Sequence, residues 1–318
     1  MNKSLLIITM KPSILVGGQA VIEGVMMRVP GSYATAVRDP NGKIHIQKED
    51  FTSITESSSF WRRPIFRGMA SLYESMKMGM KTLNYSADIA MPDEEPQSKF
   101  AEFFSTIFAI SLAVFLFMIA PMWMTTKVMD LEKEAFWFNL VSGGFRIAFF
   151  ILYLLIISML SDVRRLFQYH GAEHRVVYNF ESGKKVNIKN AQSFPTQHPR
   201  CGTSFLFIVL LSAILVFAIV DTVVINIFGT ISLPMRLLFH LPLIPLVSGI
   251  GYELIKLSSR NNSLGFRLLK KPGLWLQNIT TKKPEDEMVE VSIKALEEAF
   301  GDRYDEMVGK EYTAEAIG

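Results

Sequence analysis

Cysteine is the scarcest residue in the sequence, with one copy in 318 residues. A single cysteine excludes an internal disulfide framework and agrees with a reducing compartment. The net charge is also small, at +3, so the composition gives no indication of nucleic-acid binding. The opening residues, MNKSLLIITMKP, are short for a secretory signal peptide and lack a small-residue cleavage site. We therefore predict no signal peptide.

Hydrophobic residues are abundant, at 49% of the chain, and the mean hydropathy is +0.25. Four apolar runs have the length that a helix needs to cross a bilayer. These runs lie at residues 103–126, 139–161, 204–228 and 233–256. The sequence therefore predicts a membrane α-helical fold with four transmembrane helices in a lipid bilayer. An oligomer is possible, and the sequence does not decide the oligomeric state.

Basic residues indicate the orientation of these helices. They are concentrated after the second and fourth runs, whereas Lys127 and Lys133 are the main ones between the first two. Because Lys and Arg are enriched in cytoplasmic loops, both termini are predicted to be cytoplasmic. The basic residues that carry this prediction are Arg164, Arg165, Arg175, Lys184, Lys185, Lys189, Arg200, Lys256, Arg260, Arg267, Lys270 and Lys271.

The hydropathy pattern divides the chain into six parts. They are a small cytoplasmic α+β region at 13–90, a linker at 91–102, transmembrane helices 1 and 2 at 103–161, a cytoplasmic loop with the HGAEH and HPRC motifs at 162–202, transmembrane helices 3 and 4 at 203–257, and a cytoplasmic tail with an amphipathic helix at 258–318.

Within the α+β region, alternating residues on both sides of DPNG predict a β-hairpin at 33–47. A helix is predicted at 66–90, where Met69, Leu72, Met76 and Met80 recur at helical spacing. This face favours contact with a core, and a membrane surface or a protein partner is the alternative. Upstream, the paired glycines of VGGQAVIEGVMMR favour a strand-to-turn junction, and a glycine backbone that approaches a ligand is the alternative.

Charged or titratable residues lie within three of the apolar runs. Arg146, Arg236 and Glu253 are predicted to snorkel to the membrane interface. Asp221 and His240 lie deeper, where they either line a pathway or are satisfied by a neighbouring helix.

The rare metal-ligand residue types gather between the second and third runs. In HGAEH, His170 and His174 are four residues apart, so a helix places them on the same face with Glu173 nearby. H-x-x-E-H is the reversed zincin pattern, in which two histidines bind zinc and the glutamate is the general base. His198 and Cys201 of HPRC are the candidates for further ligands. If both His198 and Cys201 bound zinc together with the two histidines of HGAEH, the site would be closed and structural. If only His198 were added, one coordination position would stay open for catalysis.

A different interpretation of the same residues is structural. The two histidines of HGAEH would then be solvated on a cytoplasmic helix, and Cys201 would be a small packing residue at the start of the third run.

Several motifs together resemble those of the YqhQ family of bacterial membrane proteins, a family of unknown function described as predicted metal-dependent enzymes. The motifs are GGQAVIEGVMMR, YHGAEHR, HPRCGTSFLFIVLL, GYELIKL and PGLWLQNITT, in that order along residues 13–300. The resemblance implies a bacterial plasma membrane location. It also implies that His170, Glu173, His174, His198 and Cys201 occupy the family's motif positions and that Glu23 belongs to its N-terminal motif.

Three functions follow as hypotheses. The first is a metal-dependent hydrolase at the cytoplasmic face of the membrane, with the three histidines of these motifs as ligands and Glu173 as base. The second is a non-enzymatic membrane-protein biogenesis factor or scaffold, a partner of a translocon or ribosome, in which the metal pins the loop. The third, a transporter based on Asp221 and His240, ranks last because four spans without a repeat are few for a transporter.

Overall fold

The computed structural model describes residues 12–93, 98–129, 131, 134–260 and 263–314. Three sets of residues used in the sequence predictions lie outside the described residues. They are residues 1–11 of the signal-peptide prediction, residues 94–97 of the predicted linker, and Lys133. The helices are α1 (Ile54–Ser57), α2 (Phe66–Ala90), α3 (Lys99–Val114), α4 (Ala120–Met129), α5 (Ala135–Ile157), α6 (Ser161–Glu181), α7 (Ile188–Gln192), α8 (Gly202–Phe228), α9 (Leu233–His240), α10 (Ile244–Arg260), α11 (Leu264–Thr280), α12 (Asp286–Phe300) and α13 (Tyr304–Met307).

Four helical stretches are long and apolar enough to span a membrane, which confirms the four predicted runs. They are Phe103–Met129, Ala135–Ile157, Gly202–Phe228 and Leu233–Ser258. In the first stretch α3 and α4 are joined by one π-helical turn, and α4 packs against α5. Helix α8 lies centrally, since it packs along α5, α10 and α11. The protein is therefore a membrane protein with a small helical bundle.

Two of the charged residues in the spans lie inside the bundle. Arg146 and Arg236 are 3% and 1% exposed, so the prediction that they snorkel to the interface is wrong. Asp221 pairs with Arg236 at 2.9 Å and with His240 at 2.8 Å. Asp221 and His240 are thus hydrogen-bonded within the bundle. These contacts account for both residues without a transport pathway. Glu253 instead forms a bidentate ion pair with Arg67 of α2.

The strands form a small antiparallel sheet near the N-terminus and one short parallel pair. The strands are β1 (Ser13–Ile14), β2 (Gly17–Val21), β3 (Gly24–Val29), β4 (Ser32–Arg38), β5 (Ile44–Asp50) and β6 (Thr313–Ala314). The sheet has the order β2-β3-β4-β5, and β1 pairs with β6. The predicted hairpin is confirmed in β4 and β5, whose turn is held by backbone N–H donation from Asn41 and Lys43 to the Asp39 carboxylate.

The main hydrophobic core lies between this sheet, α6 and α12. The predicted C-terminal amphipathic helix is confirmed as α12, which buries Val289, Leu296 and Phe300 against the sheet. The Ser32 hydroxyl donates to the Ala299 carbonyl at 2.7 Å and fixes α12 on β4. Segments from both ends of the chain and from its middle therefore share one core, and this core holds α6 in place.

Helix α2 confirms the predicted helix, but its predicted core face is wrong in part. Met76 and Met80 are 64% and 58% exposed. The buried face carries small and polar residues because they meet close neighbours: a Cβ on Gly68 would lie 2.6 Å from Tyr252 of α10. Glu74 accepts from the Ser53 hydroxyl at 3.1 Å. Helix α2 thus joins the sheet to the membrane bundle.

Candidate metal centre

Helix α6 carries both histidines of the HGAEH motif. Because they are four residues apart, His170 and His174 stand one turn apart on the same face, with ring centroids 4.5 Å apart. Much of this helix is buried between the sheet and the α11–α12 connection. The two imidazoles are therefore held by a packed helix, and the segment predicted as a cytoplasmic loop is largely helical.

Cys201 joins these histidines from the start of α8. It is the residue before the first turn of that helix, and its Sγ lies 3.2 Å from His170 Nε2. One ligand atom each from His170, His174 and Cys201 lie within 4.8 Å of one another. This spacing lets all three reach a single metal ion.

Backbone carbonyls fix the outer nitrogen of each ring. His170 Nδ1 donates to the Thr280 carbonyl at 2.9 Å, and His174 Nδ1 donates to the Thr196 carbonyl. A carbonyl only accepts, so Nδ1 carries the proton and Nε2 faces the cluster. Metal-binding histidines commonly show this arrangement, in which a second partner sets the tautomer and the ring orientation.

Gly171 explains how the Thr280 carbonyl reaches α6. A Cβ at this position would lie 2.0 Å from the Lys282 carbonyl oxygen. The Lys282 N–H also donates to the Phe167 carbonyl at 2.8 Å. The glycine of HGAEH therefore lets the chain just after α11 run directly against α6.

The electrostatic surroundings of Cys201 favour its thiolate form. Burial alone would raise the pKa of Cys201, but His170 and His174 outweigh it and hold that pKa well below its ordinary value. Burial also opposes charge on His170, yet the Cys201 sulfur outweighs burial and raises the pKa of His170 to about 9. Both shifts favour a thiolate beside an imidazolium in the metal-free pair. The thiolate is the form of cysteine that binds metals.

Glu173 lies beside the cluster, with its carboxylate 3.4 Å from His174 Nε2, and it is 4% exposed. Its position depends on Gly18 of β2, where a Cβ would lie 3.1 Å from Glu173 Cγ and 2.2 Å from the Met26 carbonyl oxygen. The paired glycines are thus the first two residues of β2. The second, Gly18, leaves room for the side chain of Glu173.

His198 is adjacent to the cluster but belongs to a different set of contacts. Its ring centroid is 5.5 Å from that of His174. Its Nδ1 accepts from the Arg200 N–H at 3.4 Å, and its Nε2 lies 3.8 Å from the Glu181 carboxylate. Burial lowers the pKa of His198, so the ring is neutral at pH 7. The structure does not bring this histidine into the group of three.

Gln277 of α11 holds the turn that carries His198. Its Oε1 accepts from the His198 N–H at 2.6 Å, and its Nε2 donates to the His198 carbonyl at 2.8 Å. Gln277 is fully buried. Both backbone groups of His198 are therefore clamped, and the path from His198 to Cys201 is fixed.

Glu23 lies in the two-residue turn between β2 and β3, with a positive φ of 50°. Its carboxylate forms a bidentate ion pair with Arg165 and accepts from the Tyr169 hydroxyl at 3.2 Å. These contacts tie the hairpin to the first half of α6. Glu23 supports the helix on which the histidines stand.

A cavity of about 360 Å³ opens onto the cluster. Apolar residues just before β2 and on β3, α2 and α8 make most of its wall, and Arg28 contributes a positive charge. His170, Glu173, His174, His198 and Cys201 all line it. The site therefore has space for a ligand with an apolar part next to its ligand atoms.

Comparison with known proteins places the chain in a family. A family model described as "Protein of unknown function (DUF1385)" matches residues 63–302. The chain is 31% identical over 301 residues to "Uncharacterized protein YqhQ" of Bacillus subtilis (strain 168), which covers 89% of this chain and 91% of that protein. The chain belongs to the YqhQ family. No solved structure matches it.

In this member of the YqhQ family, sequence reasoning missed the residues that hold the cluster in place. The Thr280 and Thr196 carbonyls carry no side-chain signal, since any residue supplies a carbonyl. Gln277 did offer one, because it is an amide that directly follows the apolar residues of PGLWLQNITT. Glu181 offered none, since a charged residue near a helix end is ordinary.

Proposed function

We propose that this protein is a zinc-dependent hydrolase of the bacterial plasma membrane, with His170, His174 and Cys201 as metal ligands and Glu173 as general base. One observation carries the proposal: two imidazoles, each fixed through Nδ1 by a backbone carbonyl, present Nε2 to one thiolate at the wall of a cavity. Two nitrogen ligands and one sulfur ligand suit zinc, and three protein ligands leave a position for water.

The chemistry follows from the groups around that position. A bound zinc ion supplies a Lewis acid and lowers the pKa of its water. Glu173 would act as the general base for a water bound there, since its buried carboxylate lies beside His174. His198 faces the same cavity with a buried Nε2 that has no hydrogen-bond partner within the described residues. This N–H lies 3.8 Å from the Glu181 carboxylate, and in the proposed complex it donates a hydrogen bond to the substrate instead.

The substrate is an amphiphile. Apolar walls favour a hydrocarbon portion, and Arg28 favours an anionic group near it. The cavity lies where α6, α8 and α10 meet the sheet, next to the ends of the spans. Basic residues such as Arg164, Arg165 and Lys185 flank these ends, which supports a cytoplasmic site and cytoplasmic termini.

Metal content tests the ligand set. Zinc would be measured by mass spectrometry on untagged protein purified in detergent. We expect near-stoichiometric zinc in the wild type, loss in His170→Ala, His174→Ala and Cys201→Ala, and retention in His198→Ala. The matched control is His45→Ala, which removes a histidine of the β5 hairpin. Wild-type protein without metal, or Cys201→Ala with full zinc, would refute the proposed ligand set.

One observation favours a second function, a scaffold in membrane-protein biogenesis with a structural metal. The Glu173 carboxylate is near enough to His174 Nε2, at 3.4 Å, to become a fourth ligand and close the site. The Glu173→Gln variant distinguishes the hydrolase function from the scaffold function. A variant that keeps zinc and folding but loses activity supports the hydrolase, whereas loss of zinc supports the scaffold.

A further inference from the structure

The interior of the transmembrane bundle contains a second cluster of charged residues, far along the spans from the metal centre. Arg146 lies at the middle of α5, Asp221 lies in the second half of α8, and Arg236 and His240 lie on α9. None of these four side chains is more than 3% exposed. Charged side chains are rare at such positions, and those that occur usually have a functional or pairing role.

Asp221 is fully engaged by its neighbours. It pairs with Arg236 at 2.9 Å, accepts from His240 Nε2 at 2.8 Å and accepts from Asn139 Nδ2 at 2.6 Å. Its single negative charge therefore compensates the positive charge of Arg236, and His240 donates a hydrogen bond to the same carboxylate.

Arg146 has no comparable partner. Its Nε, Nη1 and Nη2 are buried, and none has a hydrogen-bond partner or an ion pair within the described parts of the chain. Its guanidinium faces the Phe217 ring, with Cζ 5.4 Å from the centroid. Two guanidinium groups thus face one carboxylate in this interior, which leaves one positive charge in excess.

A second unpartnered group lies beside this guanidinium. Ser142 is fully buried, and its hydroxyl has no hydrogen-bond partner among the described residues. It is one helical turn before Arg146 and so lies on the same side of α5. A serine hydroxyl and a guanidinium are both donors, and an anion accepts from both.

We propose that the bundle interior binds one small monovalent anion between Arg146 and Ser142. The charge follows from the single uncompensated guanidinium, because a buried charge is stable only when it is paired. The size follows from burial, since a side chain that is 3% exposed cannot reach a lipid headgroup. Halides and small oxyanions such as nitrate meet both conditions, and the guanidinium fork suits a planar oxyanion.

The test uses full-length protein in detergent and follows the midpoint of thermal unfolding. Gluconate is replaced by chloride, bromide or nitrate at constant ionic strength. We expect the midpoint to rise and to saturate with each small anion, because ligands that bind the folded state stabilise it. A midpoint that does not depend on the anion would overturn the proposal.

Variants distinguish this site from a general salt effect. Arg146→Met should abolish the rise, whereas Arg63→Met, which removes an exposed arginine outside the spans, should keep it. An equal rise in Arg146→Met would overturn the proposal. Because Arg146→Met can fail to fold, Ser142→Ala provides a milder change that keeps the charge. It should raise the chloride concentration at half-saturation several-fold, and an unchanged value would refute the assignment of Ser142.

Discussion

At the scale of single residues, metal binding at the candidate centre would depend on the competition between protons and metal for the same atoms. His170 Nε2 faces Cys201 Sγ at 3.2 Å, and the pair shares one proton at neutral pH. The thiolate is already in the form that binds metal. The imidazolium is not, so metal binding must displace the proton from His170 Nε2.

The affinity for zinc should therefore rise with pH until the His170 proton is gone. With a pKa of about 9 for His170, the expected slope is about tenfold in affinity per pH unit below that value. Competition with a chelator of known affinity at a series of pH values measures it. His45→Ala, outside the cluster, should keep the same slope. A zinc affinity that stays flat up to this pKa would show that His170 is neutral in the metal-free protein.

At the scale of elements, the position of Glu173 depends on how closely α6 approaches β2. This approach passes over Gly18, which has no side chain to separate the strand from the helix. The neighbouring Gly17 has nothing within 4 Å of the position where a Cβ would stand. Two adjacent glycines of one motif thus have different roles.

This difference gives a matched pair of variants. Gly18→Ala should destabilise the protein by about 1–3 kcal/mol, the usual cost of overpacking, and should displace Glu173 and reduce activity. Gly17→Ala should leave both nearly unchanged. Thermal unfolding, metal content and activity of the two proteins measure the effect. Equal behaviour of the two variants would show that the close approach at Gly18 is not needed.

Local sequence signals predicted the helices and strands, but not which face of each one packs against its neighbours. The β4–β5 hairpin and the four spans follow from short-range patterns of polarity and turn residues. Met76 and Met80 follow a helical pattern too, but periodicity does not reveal which face of α2 meets a neighbour. The sequence offered both His198 and Cys201 as further ligands, and the hydrolase hypothesis used His198. Sequence alone could not show that Cys201 approaches His170, because the start of α8 and the contacts of Gln277 decide it.

At the scale of the whole molecule, the three candidate metal ligands come from two different parts of the fold. His170 and His174 stand on α6, which packs in the core with the sheet and α12. Cys201 stands at the start of α8, which lies at the centre of the membrane bundle. A metal bound by all three would therefore fasten the sheet and its core to the bundle, and would hold both ends of the segment from residue 182 to residue 200.

Removal of the metal should loosen this connection. We expect chelation to lower the midpoint of thermal unfolding by several degrees, since loss of a tightly bound ligand costs on the order of 3 kcal/mol at about 100 times its Kd. Protease cleavage between residues 182 and 200 should become faster at the same time. Cys201→Ser should resemble the chelated wild type and respond little to chelator. If chelation leaves both the midpoint and the cleavage rate unchanged, the contacts of Gln277 and Glu181 already hold the segment without a metal.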